Sequence, residues 1–526
     1  MSALTLAGAL PALRDNGEPS LLYQLLTEQA ELTAVERFST LHAELPSEGR
    51  YQELIPLSAP GPGQQYAFEV DLDLCTGCKA CVTGCHTMNG LDDGEIWRTV
   101  GLLHGGTAAA PALQTVTTSC HHCVDPACMN GCPALAYEKD ALTGIVRHLD
   151  DQCIGCQYCV FMCPYDAPKF NPARGIVRKC DMCSSRLAAQ QAPACVQACP
   201  NQAIRIRVTE QAAVVDEAEA NVFLPGAHAP GDTLPTTVYR TARAVPRNLL
   251  AADHYALSPQ HAHTPLAIML VLTQLSVGTF VLALVLGVRH EASSALVALL
   301  LGLAALAAST LHLGRPERAW RALLGLRRSW LSREVLAFAL FAAAACGQAL
   351  ALWRGPAATH APLAWTVAAT GVGAVLCSVM VYAATRRELW SFARTGARFG
   401  LTTVVLGAAT LLALTTLAGR AVDPRLRWVL GAAAAAKLLL DAALLRHLAA
   451  RRHTVLRRSA LLMVRELHRA TLVRFLVGGA ALLLLVPAPT PVLALLCGVL
   501  CLTGELAERH LFFAAAVSPK MPGGPA

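Results

Sequence analysis

The chain has 526 residues, of which 54% are hydrophobic and only 15% charged. That length suggests several domains, and a charged fraction well below the roughly 25% of soluble proteins excludes both disorder and a single soluble globule. The net charge of +7 hides a division: up to Asp253 the chain carries 17 Lys+Arg and 27 Asp+Glu, a net of −10, and beyond it 26 and 9, a net of +17. Sixteen of the 20 cysteines lie in the acidic part.

Residues 1–64 read as an N-terminal arm without cysteine. No secretory signal is expected: the first basic residue is Arg14, and the apolar run before it is short and holds a proline. Residues 19–41 read as a helix, with Leu22, Leu25, Leu26, Leu32 and Val35 on a helical period. It is either a packing arm or a docking helix for a partner. Residues 65–208 hold the sixteen clustered cysteines, framed by β-prone runs at 68–70, 144–146, 175–177 and 204–208. Residues 209–263, rich in Pro, Ala and Thr, read as an irregular strap. From 264 to 516 eight apolar segments approach the ~20 residues that span a bilayer. They lie near 265–288, 292–313, 334–353, 361–384, 402–418, 428–448, 471–487 and 490–513, the fifth and seventh being shortest. A tail, 517–526, follows.

The loops after the second, fourth and sixth segments carry eighteen arginines, and the opposite loops carry five: Arg289, Arg354, Arg420, Arg425 and Arg427. The positive-inside rule places the eighteen-arginine side, and the cysteine domain with it, in the cytoplasm. A bacterial inner membrane is expected, and no nucleic-acid partner.

Four cysteine groups stand out: Cys75, Cys78, Cys81, Cys85; Cys120, Cys123, Cys128, Cys132; Cys153, Cys156, Cys159, Cys163; and Cys180, Cys183, Cys195, Cys199. The third, followed by Pro164, has the C-x2-C-x2-C-x3-C-P spacing of two-cluster ferredoxins. Three thiolates on one tight loop each take an iron of one cube face, and a remote cysteine takes the last. The first group has His86 where proline is usual, the second has four residues between its middle cysteines, and the fourth has eleven between Cys183 and Cys195. None loses a thiol, so sixteen ligands divide into four 4Fe-4S clusters. Structural zinc prefers paired C-x2-4-C knuckles, and disulfides are rare in a reducing cytoplasm. Four clusters form a wire between distant sites.

The runs Cys120-His-His-Cys-Val-Asp-Pro-Ala-Cys, Cys153-Ile-Gly-Cys-Gln-Tyr-Cys, Cys163-Pro-Tyr and Lys179-Cys-Asp-Met-Cys resemble the iron–sulfur subunit of the bacterial dimethyl sulfoxide reductase family of molybdoenzymes. The membrane half resembles the anchor subunit of those enzymes through His312-Leu-Gly-Arg-Pro, Trp330-Leu-Ser-Arg-Glu and Gly504-Glu-Leu-Ala-Glu-Arg. The resemblance implies two subunits fused in that order: an α+β double ferredoxin-like iron–sulfur domain, then an all-α eight-helix transmembrane anchor. It further implies swapped fourth ligands. Cys199 joins Cys75, Cys78 and Cys81, while Cys85 joins Cys180, Cys183 and Cys195. Cys163 joins Cys120, Cys123 and Cys128, while Cys132 joins Cys153, Cys156 and Cys159. Spacing alone does not give this pairing.

The same resemblance implies that the clusters connect a separate molybdopterin catalytic subunit to menaquinone or ubiquinone in the anchor. The chain itself is then a non-catalytic electron-transfer subunit. Electrons flow from quinol in a reductase, or to quinone in a sulfite dehydrogenase-like enzyme; cytoplasmic placement favours the second. His312 matches a histidine tied to quinol chemistry in the anchor family, and imidazole titrates near neutral pH. Arg315, Arg333 and Glu334 lie near it in the chain and complete a candidate quinone site. Lys437 and Asp441, four apart within the sixth segment, are either functional groups at membrane depth or a mutual i,i+4 ion pair. Glu505 and Glu508 are expected to pair with Arg509 or loop arginines. His290, His312, His360 and His447 all sit near segment ends, so no haem is expected. Cys346, Cys377, Cys497 and Cys501 read as small hydrophobes. Two competing readings are a membrane-bound redox sensor or scaffold without quinone turnover, and an ion-pumping module using Lys437 and Asp441.

Overall fold

The computed structural model describes residues 51–246, 248–288 and 292–521, together with Tyr23, Gln24 and Glu36. Most of the helix expected at 19–41, and Arg289 and His290, lie outside the described residues.

Strand β1 (Gln64–Asp71) pairs antiparallel with β8 (Ile204–Glu210), in register from Gln64↔Glu210 to Val70↔Ile204. The two ends of the cysteine region therefore close on each other, with Phe68, Val70, Ile204 and Ile206 buried between them and the cysteine loops. A hairpin of β2 (Thr99–Gly106) and β3 (Pro111–Thr118) flanks this sheet. Two short hairpins, β4 (Tyr137–Lys139) with β5 (Val146–His148) and β6 (Lys169–Asn171) with β7 (Ile176–Arg178), complete the ferredoxin-like unit. Short helices α1 (Ala80–Met88), α2 (Ala127–Gly131), α3 (Tyr158–Met162), α4 (Ser184–Ala188) and α5 (Ala194–Gln197) carry or follow the cysteines.

The strap is more ordered than its composition suggests. It forms α6 (Gln211–Glu219), adds β9 (Val238–Arg240) parallel to β1, and adds β10 (Leu250–Ala251) antiparallel to β2. Its backbone groups satisfy two open sheet edges. No local pattern predicts that, because the partner strands lie more than a hundred residues upstream.

The membrane part contains α7 (Thr264–Leu286), α8 (Ala292–Thr310), α9 (Trp330–Arg354), α10 (His360–Ala383), α11 (Phe392–Leu417), α12 (Pro424–Leu445), α13 (Val455–Val464), α14 (His468–Leu483) and α15 (Pro491–Ala514). Among the described residues, seven helices are long and apolar enough to cross a bilayer: α7 to α12, and α15. The eighth expected segment is α14, whose 16 residues fall short of the ~20 needed but pack against α15. The fifth segment starts about ten residues earlier than its apolar run, because its first turns bury Thr395, Arg398 and Phe399 inside the bundle. α13 is a short amphipathic helix inside the arginine-rich sixth loop.

Helix α7 is the axis. It buries residues along its whole length and touches α8, α10, α11 and α15. At its crossing with α11, Gly278 and Gly407 meet backbone to backbone: a Cβ on Gly278 would lie 1.9 Å from the Thr403 carbonyl oxygen. Small residues permit the close approach that drives helix association where no hydrophobic effect acts.

Candidate functional site

The four cysteine loops share one backbone device. The residue two places after each group's first cysteine is left-handed: Gly77 (φ 76°), His122 (φ 43°), Gly155 (φ 71°) and Met182 (φ 59°). That conformation turns successive N–H groups into a concave nest that favours an anionic iron–sulfur group. The Gly155 N–H donates to Cys153 Sγ and the Met182 N–H to Cys180 Sγ, both at 3.4 Å. Around the fourth cysteines, the Ala136 N–H reaches Cys132 Sγ at 3.3 Å and the Ala203 N–H reaches Cys199 Sγ at 3.2 Å.

Cys75, Cys78, Cys81 and Cys199 line one small cavity. Cys120, Cys123, Cys128 and Cys163 line another. Asn89 Nδ2 stands 3.6 Å from Cys85 Sγ and 3.9 Å from Cys183 Sγ. Burial, reinforced by the Cys195 and Cys183 thiols, pushes the Cys85 thiol up to about 12. Burial also raises Cys156, with Cys132 and Cys153 adding to the effect. Thiols buried this way hold their protons until a cation displaces them. Among the described residues no three His, Cys, Asp or Glu side chains gather closely enough to share one metal ion. Four thiols lining one common cavity suit the ligand set of an iron–sulfur cube.

Two buried cations stand among these thiols, and sequence reading missed both. Burial opposes the Arg98 charge, but the thiols of Cys195, Cys81, Cys180 and Cys85 outweigh it. Its guanidinium also donates to Thr117 Oγ1 (3.2 Å) and Ser119 Oγ (2.9 Å). Lys179 Nζ lies 3.5 Å from Cys120 Sγ and donates to the Cys180 carbonyl at 2.8 Å, between the second and fourth groups. Lys179 is legible as the residue before a cysteine; Arg98 stands alone in sequence.

The cysteine domain docks on one end of the bundle through the third group and the residues around Cys132 of the second. The Arg315 N–H donates to the Ile154 carbonyl (3.1 Å), the Gly325 N–H to the Pro133 carbonyl (2.8 Å) and Ser329 Oγ to the Gly131 carbonyl (2.7 Å). Tyr158 Oη donates to the Val381 carbonyl at the end of α10 (2.8 Å). Between these contacts lies a mostly apolar cavity of ≈ 290 Å³. Cys156, Tyr158 and Phe161 form its roof; His312, Glu334, Phe338 and Tyr382 are among its walls. His312 is partly buried with Nδ1 unpartnered, and burial holds its pKa down at about 4. Buried Glu334 accepts from Ser378 Oγ.

The four residues expected around the quinone divide into two pairs. His312 and Glu334 meet in this cavity. Arg315 and Arg333 do not line it: Arg315 Nη1 donates to the Asp150 carbonyl (2.8 Å), and Arg333 donates to the Leu326 and Arg327 carbonyls (3.0 and 2.9 Å). Both guanidinium groups are taken up by loop backbone, which needs strong donors where it leaves the helices. Tyr158, Tyr382 and Ser378 were not anticipated. Tyr158 was legible, since it sits inside the third cysteine motif.

Lys437 and Asp441 do not neutralise each other. Lys437 pairs with Glu505, and with Glu508 at 3.5 Å; Asp441 pairs with Arg474 at 2.9 Å and Arg398 at 3.7 Å. Their shared helix face points at neighbouring helices that offer opposite charges in better geometry. Glu505 also binds Arg474 at 3.0 Å, and Glu508 faces Arg398 (3.6 Å) and Arg509 (3.7 Å). Arg398 and Arg474, both counted among the eighteen loop arginines, are buried within α11 and α14.

A family described as a 4Fe-4S dicluster domain matches residues 112–209, and one described as the dimethyl sulfoxide reductase anchor subunit matches residues 260–515. The B subunit of the anaerobic dimethyl sulfoxide reductase of Haemophilus influenzae is 39% identical over 150 residues, 27% of this chain and 73% of that protein. The thiosulfate reductase electron transfer subunit of Salmonella typhi is 37% identical over 144 residues, 27% of this chain and 74% of that protein. The formate dehydrogenase-O iron-sulfur subunit of Escherichia coli is 33% identical over 164 residues, 28% of this chain and 54% of that protein.

Proposed function

This chain belongs to the dimethyl sulfoxide reductase family, as an iron–sulfur electron-transfer subunit joined to its membrane anchor, and on that premise we propose that it carries electrons between a membrane quinone and a separate molybdopterin oxidoreductase subunit through four 4Fe-4S clusters. The carrying observation is the ≈ 290 Å³ cavity that has Cys156 in its roof and His312 and Glu334 in its walls. The size and apolar lining suit a quinone ring, and the contact with a cysteine loop puts it beside the end of the wire. When bound, the clusters supply single-electron transfer. The chain's own residues do the rest. Sixteen thiolates hold the clusters, and Arg98 and Lys179 offset their negative charge. Phe338 and Tyr382 exclude water, while the His312 Nδ1 site and the Glu334 carboxyl exchange the quinol protons.

The arginine bias supports a cytoplasmic iron–sulfur domain. Leaving out the buried Arg398 and Arg474, sixteen arginines remain in the loops and helix ends on the cluster side against five on the other. The test is anaerobic reduction of the full chain, in lipid nanodiscs, by the menaquinol analogue menadiol, followed by bleaching of the iron–sulfur absorbance. The wild type should bleach. His312→Ala and Glu334→Gln should keep their iron and slow at least about 100-fold. Clusters that dithionite reduces but menadiol does not would favour the sensor or scaffold reading.

A further inference from the structure

Behind Phe161 lies a second cavity, of ≈ 330 Å³, and the Phe161 ring lines both. Its walls come from the third cysteine loop, the strap, the loop between α10 and α11, helix α13 and the tail. His263 and Phe513 place it at the start of α7 and the end of α15, two helices long and apolar enough to cross a bilayer. It therefore stands at the headgroup level of the cluster-side leaflet. Exposed Ala256, Ser258 and His261 line its mouth.

Five full charges face the cavity: Asp166, Asp253, Arg387, Arg458 and Lys520. Both carboxylates already have a cation, since Asp166 pairs with Lys169 and Asp253 with Lys520. Arg387 and Arg458 have no ion pair among the described residues. Arg387 is 5% exposed, and its Nε is buried without a hydrogen-bond partner among those residues. Its guanidinium faces the rings of Phe161 and Trp390 at 5.2 and 4.8 Å. Arg458 is half-buried; one Nη donates to the Ala256 carbonyl at 3.2 Å, and its Nε also lacks a partner. Burial pulls Arg387 down to about 10, against the opposing charges of Asp166 and Cys163, and it lowers Arg458 against Asp253. His263, edge-on to Phe161 with centroids 5.1 Å apart, is held down at about 4 by burial first and is neutral. The lining thus keeps two positive charges without a counter-charge.

We propose that this cavity binds one phosphate-bearing anion through Arg387 and Arg458, and that the headgroup of an anionic phospholipid is its source. A buried cation with unused N–H donors is costly to leave unpaired. A phosphate offers several strong acceptor oxygens and matches the guanidinium fork. Basic pockets at the cytoplasmic ends of membrane helices suit anionic headgroups. The rest of the lining favours a lipid over a free anion: Leu257, Leu462, Phe513 and Val517 offer apolar surface that inorganic phosphate would leave unused and a glycerol backbone with its first acyl carbons would cover. Such binding needs no quinone turnover.

The test titrates the full chain in detergent with phosphatidylglycerol, or with phosphatidylcholine of the same acyl chains, and reads retained lipid by native mass spectrometry. The wild type should hold one phosphatidylglycerol at least about tenfold more tightly than phosphatidylcholine, whose ammonium would meet the same two cations. Arg387→Gln and Arg458→Gln should keep their iron and each weaken phosphatidylglycerol at least about tenfold. Asp253→Asn, which releases Lys520 toward the cavity, should tighten it about two- to fivefold, a gain that no folding defect produces. Equal retention of the two lipids, or wild-type affinity in both arginine variants, would overturn the site, as would weaker binding in Asp253→Asn. Inorganic phosphate and glycerol 3-phosphate, added as competitors, separate the sources. Poor displacement is expected; displacement at concentrations matching the lipid's would overturn the lipid as occupant and leave a free anion in its place.

Discussion

Arg98 places a permanent cation among the thiols of two cysteine groups, in a site where it has Phe68 beneath it at 4.7 Å and two hydroxyls to bind. A buried unit charge beside the ligands of a redox centre, at an effective dielectric of about 20, is worth on the order of 2 kcal/mol to an arriving electron. Arg98→Met should therefore lower the potential of the clusters held by the first and fourth groups by roughly 90 mV. A redox titration followed by EPR would read this; four unchanged potentials would rule out the role. The residue also marks a limit of sequence reading. A lone arginine between β-prone runs carries no local signal, and its partners come from positions up to 97 residues away (Cys195). The cysteines announce themselves, because thiolates on one tight loop must be close in sequence. Their counter-charges need not be.

Among the elements, the joint between the loop after α8 and the third cysteine loop sets how the cysteine domain meets the membrane helices. Three glycines make it possible. A Cβ on Gly314 would lie 2.0 Å from the Gly175 carbonyl oxygen, and one on Gly155 would lie 2.7 Å from the Gly314 nitrogen. Backbone meets backbone there, with no flexible side chain to move aside. Gly314→Ala should keep the clusters, which are held within the cysteine domain, yet displace His312 from the cavity roof. A displacement near 1 Å costs on the order of 100-fold where reacting groups must align. Menadiol bleaching should show that loss at normal iron content; an unaffected rate would mean the joint yields without moving the cavity. The His312-Leu-Gly-Arg-Pro run was legible as a motif. That its glycine is a docking point followed only once the partner glycines were in place.

Across the whole molecule, the membrane part carries a buried ionic cluster of Arg398, Lys437, Arg474 and Arg509 with Asp441, Glu505 and Glu508. It ties α11, α12, α14 and α15 together, and Arg509 reaches Gln274 of α7 at 3.0 Å. Removing one partner of such a cluster leaves a buried charge uncompensated. Glu505→Gln, which leaves four buried cations against two carboxylates, should destabilise the bundle by about 3–5 kcal/mol, and Glu505→Gln with Lys437→Met by less; thermal unfolding in detergent would compare them. Equal losses would show that charge compensation is not what Glu505 supplies. Away from the docked end, Leu282, Leu411, Leu426, Leu430, Ala433 and Cys497 pack as an apolar plug. That plug favours a structural cluster over an ion-pumping path. The α15 terminus returns to the cluster side, where the Gln260 N–H donates to the Ala514 carbonyl at 2.9 Å. A C-terminal tag should thus be cleaved by protease in inverted vesicles; protection there would reverse the proposed orientation.

The sequence by itself determined the bipartite plan: cysteines clustered at ligand spacing in an acidic half, apolar segments of bilayer length in a basic half, and the family to which both belong. Those features are local, since thiol loops and spanning helices are fixed by residues adjacent in the chain. Only the tertiary structure decided which candidate residues meet. It brought Glu334 to His312 beneath Cys156, sent Arg315 and Arg333 to loop carbonyls, re-paired Lys437 and Asp441 with other helices, and set His263 behind Phe161. Each of those outcomes depends on which faces of distant helices turn toward one another. Side chains from separate elements find partners by packing and charge, and spacing along one element does not encode that.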